Sequence, residues 1–302
     1  MKIIIEEIKI YFGKYWFLNY KENKTEILLK GKIFIDKCLN DIDIPKLNKI
    51  KLKPKISVII PVYNSEKIIS SSICSIQNQN YTDYEIILID DFSKDNSSKI
   101  IHRLQKMDKR IKIIKNQKNM GTLYSRNIGV LKSNGEYIFS LDNDDLFFSD
   151  DIFDFIIKIA QETNFDIIGF RGIKIENYED NIEKMSDLYN YKQYPNHLIV
   201  HQPQLSTWII SNNGHFQTHD VTIWAKCIKS RIYKEASNRL GKKRNSFFVS
   251  WAEDTIMNFI IFSIAQSFIF VHKYGIIHLH NVSTASFSIG KDIQFIWRNI
   301  FG

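Results

Sequence analysis

The chain has 302 residues, 44% of them hydrophobic and 13% aromatic, enough to bury a substantial core in one large domain or two small ones; a disordered protein is excluded. Lys and Arg number 41 against 33 Asp and Glu, a net charge of +8 that favours anionic partners. The excess is diffuse and lacks long basic arms, so charge alone makes no case for nucleic acid.

Residues 1–54 are dense in Lys and Ile, with apolar groups at mixed spacing, and end in Lys51-Leu52-Lys53-Pro54, where proline disfavours helix in the residue before it. They read as a helical N-terminal extension. With neither an uninterrupted apolar core nor a small-residue cleavage site, they do not read as a signal peptide. Apolar strands then alternate with helices: ISVII (56–60), a helix near 66–78, EIILI (85–89), a helix near 95–107, IKII (111–114), a helix near 121–132 and EYIFSL (136–141). This is the pattern of a doubly wound α/β sheet, whose right-handed crossovers bring every strand's carboxyl end to one edge.

From Asp151 onward the periodicity blurs into apolar runs at 165–170, 256–271 and 276–279, which predict a mixed second half completing the sheet. The run Ile256 to Val271 contains Asn258, Ser263, Gln266 and Ser267 and is shorter than a membrane span requires, so it reads as a buried helix. Cys38, Cys74 and Cys227, odd in number and widely spaced with no CxxC pair, fit free thiols in a reducing compartment rather than a disulfide framework or a zinc site. These readings together predict a cytoplasmic protein without a transmembrane segment, and they leave peripheral membrane association open.

Two acidic knots, Asp90-Asp91 and Asp142-Asn143-Asp144-Asp145, each follow directly on an apolar strand. Both would emerge at the carboxyl edge of the sheet, where open α/β folds bind ligands. No GxGxxG follows a strand and no GxxxxGK[ST] occurs, which disfavours dinucleotide enzymes and P-loop NTPases. Carboxylates at that edge would repel a diphosphate unless a divalent cation bridges them, and oxygen ligands of this kind suit Mg²⁺ or Mn²⁺. The competing reading of 142–145 is a polar turn before a helix starting near Asp150.

The order of these motifs resembles the family 2 glycosyltransferases of GT-A fold over nearly everything from Ile56 to Ser288. ISVIIPVYN (56–64) is similar to that family's first strand and nucleotide loop, EIILIDDFSKDNS (85–97) to its second, NMGTLYSRNIG (119–129) to its sugar-nucleotide helix and LDNDD (141–145) to its metal motif. VTIWAKCIKSRIY (221–233), WAEDTIMNF (251–259) and HLHNVSTAS (278–286) resemble its acceptor-side blocks, and Phe92 departs from the family's usual glycine. The resemblance implies a Rossmann-like mixed sheet with helices on both faces, divided into the extension 1–54, a nucleotide-sugar half 55–150 and an acceptor half 151–302.

It also implies roles. Pro61, Tyr63 and Asn64 would form the first loop, and Asp91 would accept from the N3–H of uracil, its structural alternative being an Asx-type cap for the helix containing Asp95. Asn119, Gly121, Arg126 and Asn127 would line the nucleotide-sugar cleft; Arg126 suits anionic groups by its planar fork of donors. Asp142 and Asn143 would meet the ribose side, Asp144 would hold Mn²⁺ or Mg²⁺, and Asp145 would support it. Asp254, helped by Glu253 at the start of an apolar helix, would be the general base, although acidic residues also suit any helix's first turn. Trp251 would stack an acceptor sugar, whereas Trp208 and Trp224 read as core. His278 and His280 alternate on a strand; one of them, His280 as read here, would reach the metal or diphosphate. Lys242, Lys243 and Arg244 read as a polar loop that closes over diphosphate or is merely solvated.

The activity implied is inverting, metal-dependent transfer of a sugar from a UDP-sugar to a hydroxyl of a glycan, lipid or protein acceptor. One base and one stabilised leaving group are present, with no second nucleophile for a double displacement. Competing readings are a nucleotidyltransferase, which predicts a Gly-rich basic loop in place of Pro61-Val62-Tyr63-Asn64, and a processive synthase, whose QxxRW motif is altered here in Gln294-Phe295-Ile296-Trp297-Arg298. A catalytically inactive relative that binds a nucleotide-sugar or a protein is the non-enzymatic alternative.

Overall fold

Seven consecutive buried residues, ISVIIPV, make strand β1 (Ile56–Val62), and seven more, YEIILID, make β2 (Tyr84–Asp90). Runs apolar on both faces are what a parallel strand covered by helices requires. The structure, a computed structural model, describes residues 29–30, 32–34, 36–38, 53–175, 186–187, 198–202, 204–205, 222–244 and 253–279. In chain order the elements after β1 are α1 (Ile69–Gln77), β2, α2 (Ser97–Met107), β3 (Ile111–Lys115), α3 (Thr122–Lys132), β4 (Tyr137–Ser140), β5 (Leu146–Phe147), α4 (Ile152–Thr163) and β6 (Ile167–Ile175). They continue with β7 (Ser186–Asp187), β8 (Leu198–His201), β9 (Lys226–Lys229), α5 (Ser230–Arg244), α6 (Glu253–Ile264) and β10 (Ser267–Leu279).

One mixed sheet runs in the order β3-β2-β1-β4-β9-β6-β10-β5, with β7 on β6 and β8 on β10. The first four strands are parallel, β1 pairing with β2 on one side and β4 on the other. The chain winds outward from β1 through β2 to β3 and then returns across the sheet to β4. The carboxyl ends of β1 and β4 therefore flank the switch point, the place where such sheets open a crevice. β9 then runs antiparallel to both β4 and β6. Helix α3 lies hard against this point: a Cβ on Gly129 would stand 2.5 Å from Ile59 Cγ2 and 2.7 Å from Ile89 Cδ1. Glycine there is what lets the helix approach the sheet so closely.

The doubly wound mixed sheet with helices on both faces is as expected. Two local expectations differ. The apolar run Ile256 to Val271 is not one helix: α6 ends at Ile264, and β10 begins at Ser267 after Gln266 N–H turns to Asp166 Oδ2 at 2.8 Å. Lys242, Lys243 and Arg244 form the last turn of α5, not a loop.

The core is continuous across both halves. Phe139, Phe147 and Phe153 meet with centroids 4.9–5.8 Å apart, and their edge-on and stacked contacts tie β4 to β5 and α4. A smaller cluster of Leu146, Phe148, Ile173, Ile175, Tyr274 and Ile277 receives Cys38 and Phe34 of the N-terminal segment, whose residues described between 29 and 38 are helical. Among the described residues no helix is long and apolar enough to cross a membrane.

Candidate active site

At the end of β1, Tyr63 is half-exposed and Asn64 takes φ 48°, its Oδ1 accepting Lys94 N–H at 2.8 Å. At the end of β2, Asp90 Oδ1 accepts Ser93 N–H at 2.9 Å, while Phe92 sits at φ 68°. That left-handed conformation is strained for a bulky side chain, and glycine would adopt it without that cost. Lys94 Nζ covers the Phe92 ring at 3.5 Å.

Asp91 is buried and its carboxylate receives three donors: Asn116 Nδ2 at 2.7 Å, Met120 N–H at 2.8 Å and Gly121 N–H at 2.8 Å. Gly121, at φ 85°, opens α3, so this one carboxylate sets the turn into that helix. Asn119 helps by accepting Gly121 N–H at 3.1 Å. The start of α2 is served by Asp95, whose Oδ1 accepts Ser97 N–H at 2.9 Å; Asp91 plays no part there. A carboxylate offers about four acceptor positions, so Asp91 keeps one for a ligand.

Arg126, on α3 and only 3% exposed, bridges the two halves of the molecule. Its Nη2 donates to Asp142 Oδ1 at 2.6 Å and its Nη1 to Asp254 Oδ1 at 2.7 Å. The planar guanidinium thus fixes the distance between the acidic knot after β4 and the first turn of α6. Asp254 Oδ2 accepts Ile223 N–H at 2.9 Å. Burial pushes the Asp254 pKa up, Arg126 pulls it back and Asp142 adds to the rise, leaving it raised overall. Asn127, the next residue, turns away and accepts from Ser237 Oγ at 3.0 Å, locking α3 to α5.

In the knot, Asp145 N–H bonds to Asp142 carbonyl at 3.1 Å, and α1 holds the turn from outside through Ser72 Oγ, which donates to the Asn143 carbonyl at 2.9 Å. Asn143 Nδ2 reaches the Tyr63 carbonyl at 3.4 Å, tying the knot to the first loop. Asp145 is fully buried and meets His278 Nδ1 at 3.0 Å, and the His278 ring stacks on Trp224 at 5.6 Å with an interplanar angle of 6°. Burial by itself would lower the His278 pKa, but the charge and hydrogen bond of Asp145, with help from Asp142 and Asp144, hold it up at about 9. Asp144 is pushed up to about 7 by burial, then by Asp145 and Asp142.

The structure brings Tyr63, Asn64, Asp91, Asn119, Gly121, Arg126, Asp142, Asn143, Asp144 and Asp254 to one edge. Pro61 lies within β1 itself, paired with Ile89. Trp251, His280 and Trp208 lie outside the described residues, as does the side chain of Glu253. Trp224 is buried, as core, and His278 reaches the knot. Sequence reasoning missed Lys226, 3% exposed, whose Nζ donates to the Thr222 carbonyl at 2.5 Å and whose charge also bears on Asp254. It missed Asn258 as well, one turn beyond Asp254, whose side-chain nitrogen and oxygen are both buried without a hydrogen-bond partner among the described residues. The spacing of 254 and 258 by four was the available signal.

No group of three or more His, Cys, Asp or Glu is placed to hold a metal among the described residues. The donor chemistry nevertheless fits a single-carboxylate site: Asp142 is engaged by Arg126 and Asp145 by His278, while Asp144 carries the charge its neighbours repel. A divalent cation completed by phosphate and water needs only one or two such ligands.

The family model for glycosyl transferase family 2 matches residues 57–218, more than half of the chain. The chain belongs to glycosyl transferase family 2. Family 2 relatives include an uncharacterized glycosyltransferase of Haemophilus influenzae, 42% identical over 112 residues, 37% of this chain and 42% of that protein. A second is the GalNAc(5)-diNAcBac-PP-undecaprenol beta-1,3-glucosyltransferase of Campylobacter jejuni, 42% identical over 93 residues, 30% of each chain. In these matches the chain spans less than half the length of its curated relatives. Among solved structures, S. aureus TarS 1–349 in complex with UDP-GlcNAc aligns with a TM-score of 0.62 over 82% of this chain and 65% of its own, at 17% identity, a likeness of fold. The family 2 match ends before α6 and β10, so Asp254 and His278 lie beyond it.

Proposed function

We propose that this family 2 protein transfers a sugar from a UDP-sugar to an acceptor hydroxyl with inversion at the anomeric carbon, in a metal-dependent reaction. What carries the reading is the Arg126 bridge, which holds Asp142 and Asp254 by adjacent nitrogens, 2.6 and 2.7 Å away, and so faces a donor-side carboxylate with a base candidate. In this reading Tyr63, Asn64 and Asn119 frame the nucleotide, and the remaining acceptor position of Asp91 takes the uracil N3–H. Asp142 and Asn143 receive the ribose. Asp144 would hold Mn²⁺ or Mg²⁺, which when bound neutralises the departing diphosphate.

Asp254 takes the proton of the attacking hydroxyl. Its raised pKa makes it a stronger base than an exposed aspartate, while Arg126 and Ile223 N–H keep it oriented. Glu253, at the first position of α6, supports it, and Trp251 and His280 remain candidates for the acceptor and the diphosphate.

The test is a thermal-shift titration with nucleoside diphosphates and Mn²⁺, Mg²⁺ or EDTA, followed by turnover with UDP-sugars and NMR of the product anomer. Stabilisation specific to UDP with metal is expected, because a ligand bound only to the native state raises the melting temperature. Asp254→Asn should retain that stabilisation and lose transfer by about 10²-fold or more. Nucleotide binding without any turnover would instead identify a binding module, and unchanged turnover in Asp254→Asn would remove the assigned base.

A further inference from the structure

Away from the cleft, the N-terminal segment meets the sheet domain at two thiols. Cys38 on that segment and Cys74 in α1 are 0% and 2% exposed, inside the small cluster that contains Leu146, Phe148, Tyr274 and Ile277. One amide serves both sulfurs: Asn78 Nδ2 stands 3.8 Å from Cys38 Sγ and 3.1 Å from Cys74 Sγ. Each thiol also bears on the ionisation of the other.

The pair is asymmetric. The neighbouring Cys38 thiol lowers the Cys74 pKa; burial opposes this, and Asn78 and Lys37 reinforce it, leaving the net shift downward. Cys38, tied to Cys74 and buried, is pushed far up. One sulfur is therefore primed as a nucleophile while its neighbour stays protonated, the arrangement a reactive dithiol needs. Cys227 differs: it lies in β9, where burial raises its pKa well above the ordinary thiol value.

We propose that Cys38 and Cys74 are a redox-active dithiol that hydrogen peroxide closes into a disulfide, joining the N-terminal segment covalently to the helix that supports the acidic knot. In the first step the Cys74 thiolate attacks a peroxide oxygen, the O–O bond breaks and hydroxide leaves; Cys74 becomes a sulfenic acid and the peroxide is reduced. Cys38 sulfur then attacks Cys74 sulfur, the S–O bond breaks, and the departing hydroxide takes the Cys38 proton as water. The hydroxide of the first step takes up the proton that Cys74 released on ionising, so two thiols and one peroxide give one disulfide and two waters.

The connection matters because α1 carries the supports of the knot. Ser72 Oγ donates to the Asn143 carbonyl at 2.9 Å, and Ser75 Oγ accepts Phe147 N–H at 3.1 Å. A cross-link at Cys74 lies between these two serines in sequence and anchors their helix to the segment that carries Cys38. This inference does not depend on the transfer reading.

The experiment treats the full chain with hydrogen peroxide, blocks remaining thiols under denaturing conditions and maps the peptides by mass spectrometry. A Cys38–Cys74 linked peptide is expected, with Cys227 still alkylated. Oxidation should raise the melting temperature by several degrees, because a cross-link constrains the unfolded chain, and dithiothreitol should reverse it. C227S should behave as wild type, and C38S and C74S should show neither the linked peptide nor the shift. In C38S, the sulfenic acid should persist on Cys74 and be trapped by dimedone, so the proposal is testable even where C74S does not fold. Cross-linking between molecules, over-oxidation of Cys74 with Cys38 still alkylated, or three intact thiols in folded protein would each overturn it.

Discussion

Two carboxylate sites stand on the same sheet edge and obey opposite rules. Asp91 is surrounded by neutral donors, two backbone N–H groups and one amide, all within 2.8 Å. The knot of Asp142, Asp144 and Asp145 is served instead by cations, Arg126 and His278, with Asp144 held up at about 7 by burial and its like-charged neighbours. Neutral N–H donors fix the Asp91 carboxylate in the turn it organises, whereas in the knot three carboxylates crowd together with two cations, and the crowding raises Asp144. Residue type is the same in both, and only the partners differ.

The contrast is broken most severely at Arg126. Arg126→Met should cost about 3–5 kcal/mol in urea unfolding, because it strands two partly buried carboxylates, and it should abolish any transfer. Were stability unchanged, the bridge would not be what joins the two halves. Asp91→Ala should cost about 2–3 kcal/mol by leaving the Met120 and Gly121 N–H groups and Asn116 unpaired, and it should weaken UDP stabilisation in the same titration. Loss of nucleotide binding with full stability would make Asp91 purely a ligand group.

The knot should reveal itself through pH. His278, raised to about 9, contributes stability that is fully present below its unfolded pKa of about 6.5 and is lost as pH rises through about 9. His278→Gln should therefore flatten the fall in stability between those values, an effect of at most about 3 kcal/mol. Asp144, a carboxylate raised to about 7, has the same sign in a lower window: its contribution is present below about 4 and lost as pH rises through about 7, and Asp144→Asn should remove it. An unaltered profile in either variant would detach that residue from the knot. The smallest effect is expected at Asn258. Replacing this buried amide, which has no hydrogen-bond partner among the described residues, with leucine should leave stability unchanged or raise it by about 1 kcal/mol, while transfer falls if the amide serves the substrate.

How much of this was legible depends on the kind of signal. Strands β1 and β2 declared themselves because a short run rich in Ile and Val between loops has few other readings. The break between α6 and β10 was hidden, since both are buried nearly all round and neither period shows through. β9 escaped notice because it is four residues long and contains two lysines, and Lys226 reads as a solvated charge until β4 and β6 close over it. His278 and His280 share one face of a strand by period, so alternation could not separate them. The antiparallel pairing of Ile277 with Leu146 brings His278 alongside Asp145, a contact that no local signal announced.

The amino-acid sequence by itself determined the parallel half of the sheet, the two acidic knots at its edge, and the membership of family 2, because each is written in contiguous residues whose spacing and polarity are local. Only the tertiary structure decided which charges meet. Arg126 finds Asp142 and Asp254, and Cys38 finds Cys74, through a sheet order that brings distant segments together. Electrostatic partners are set by distance in space, which a linear order of residues does not contain.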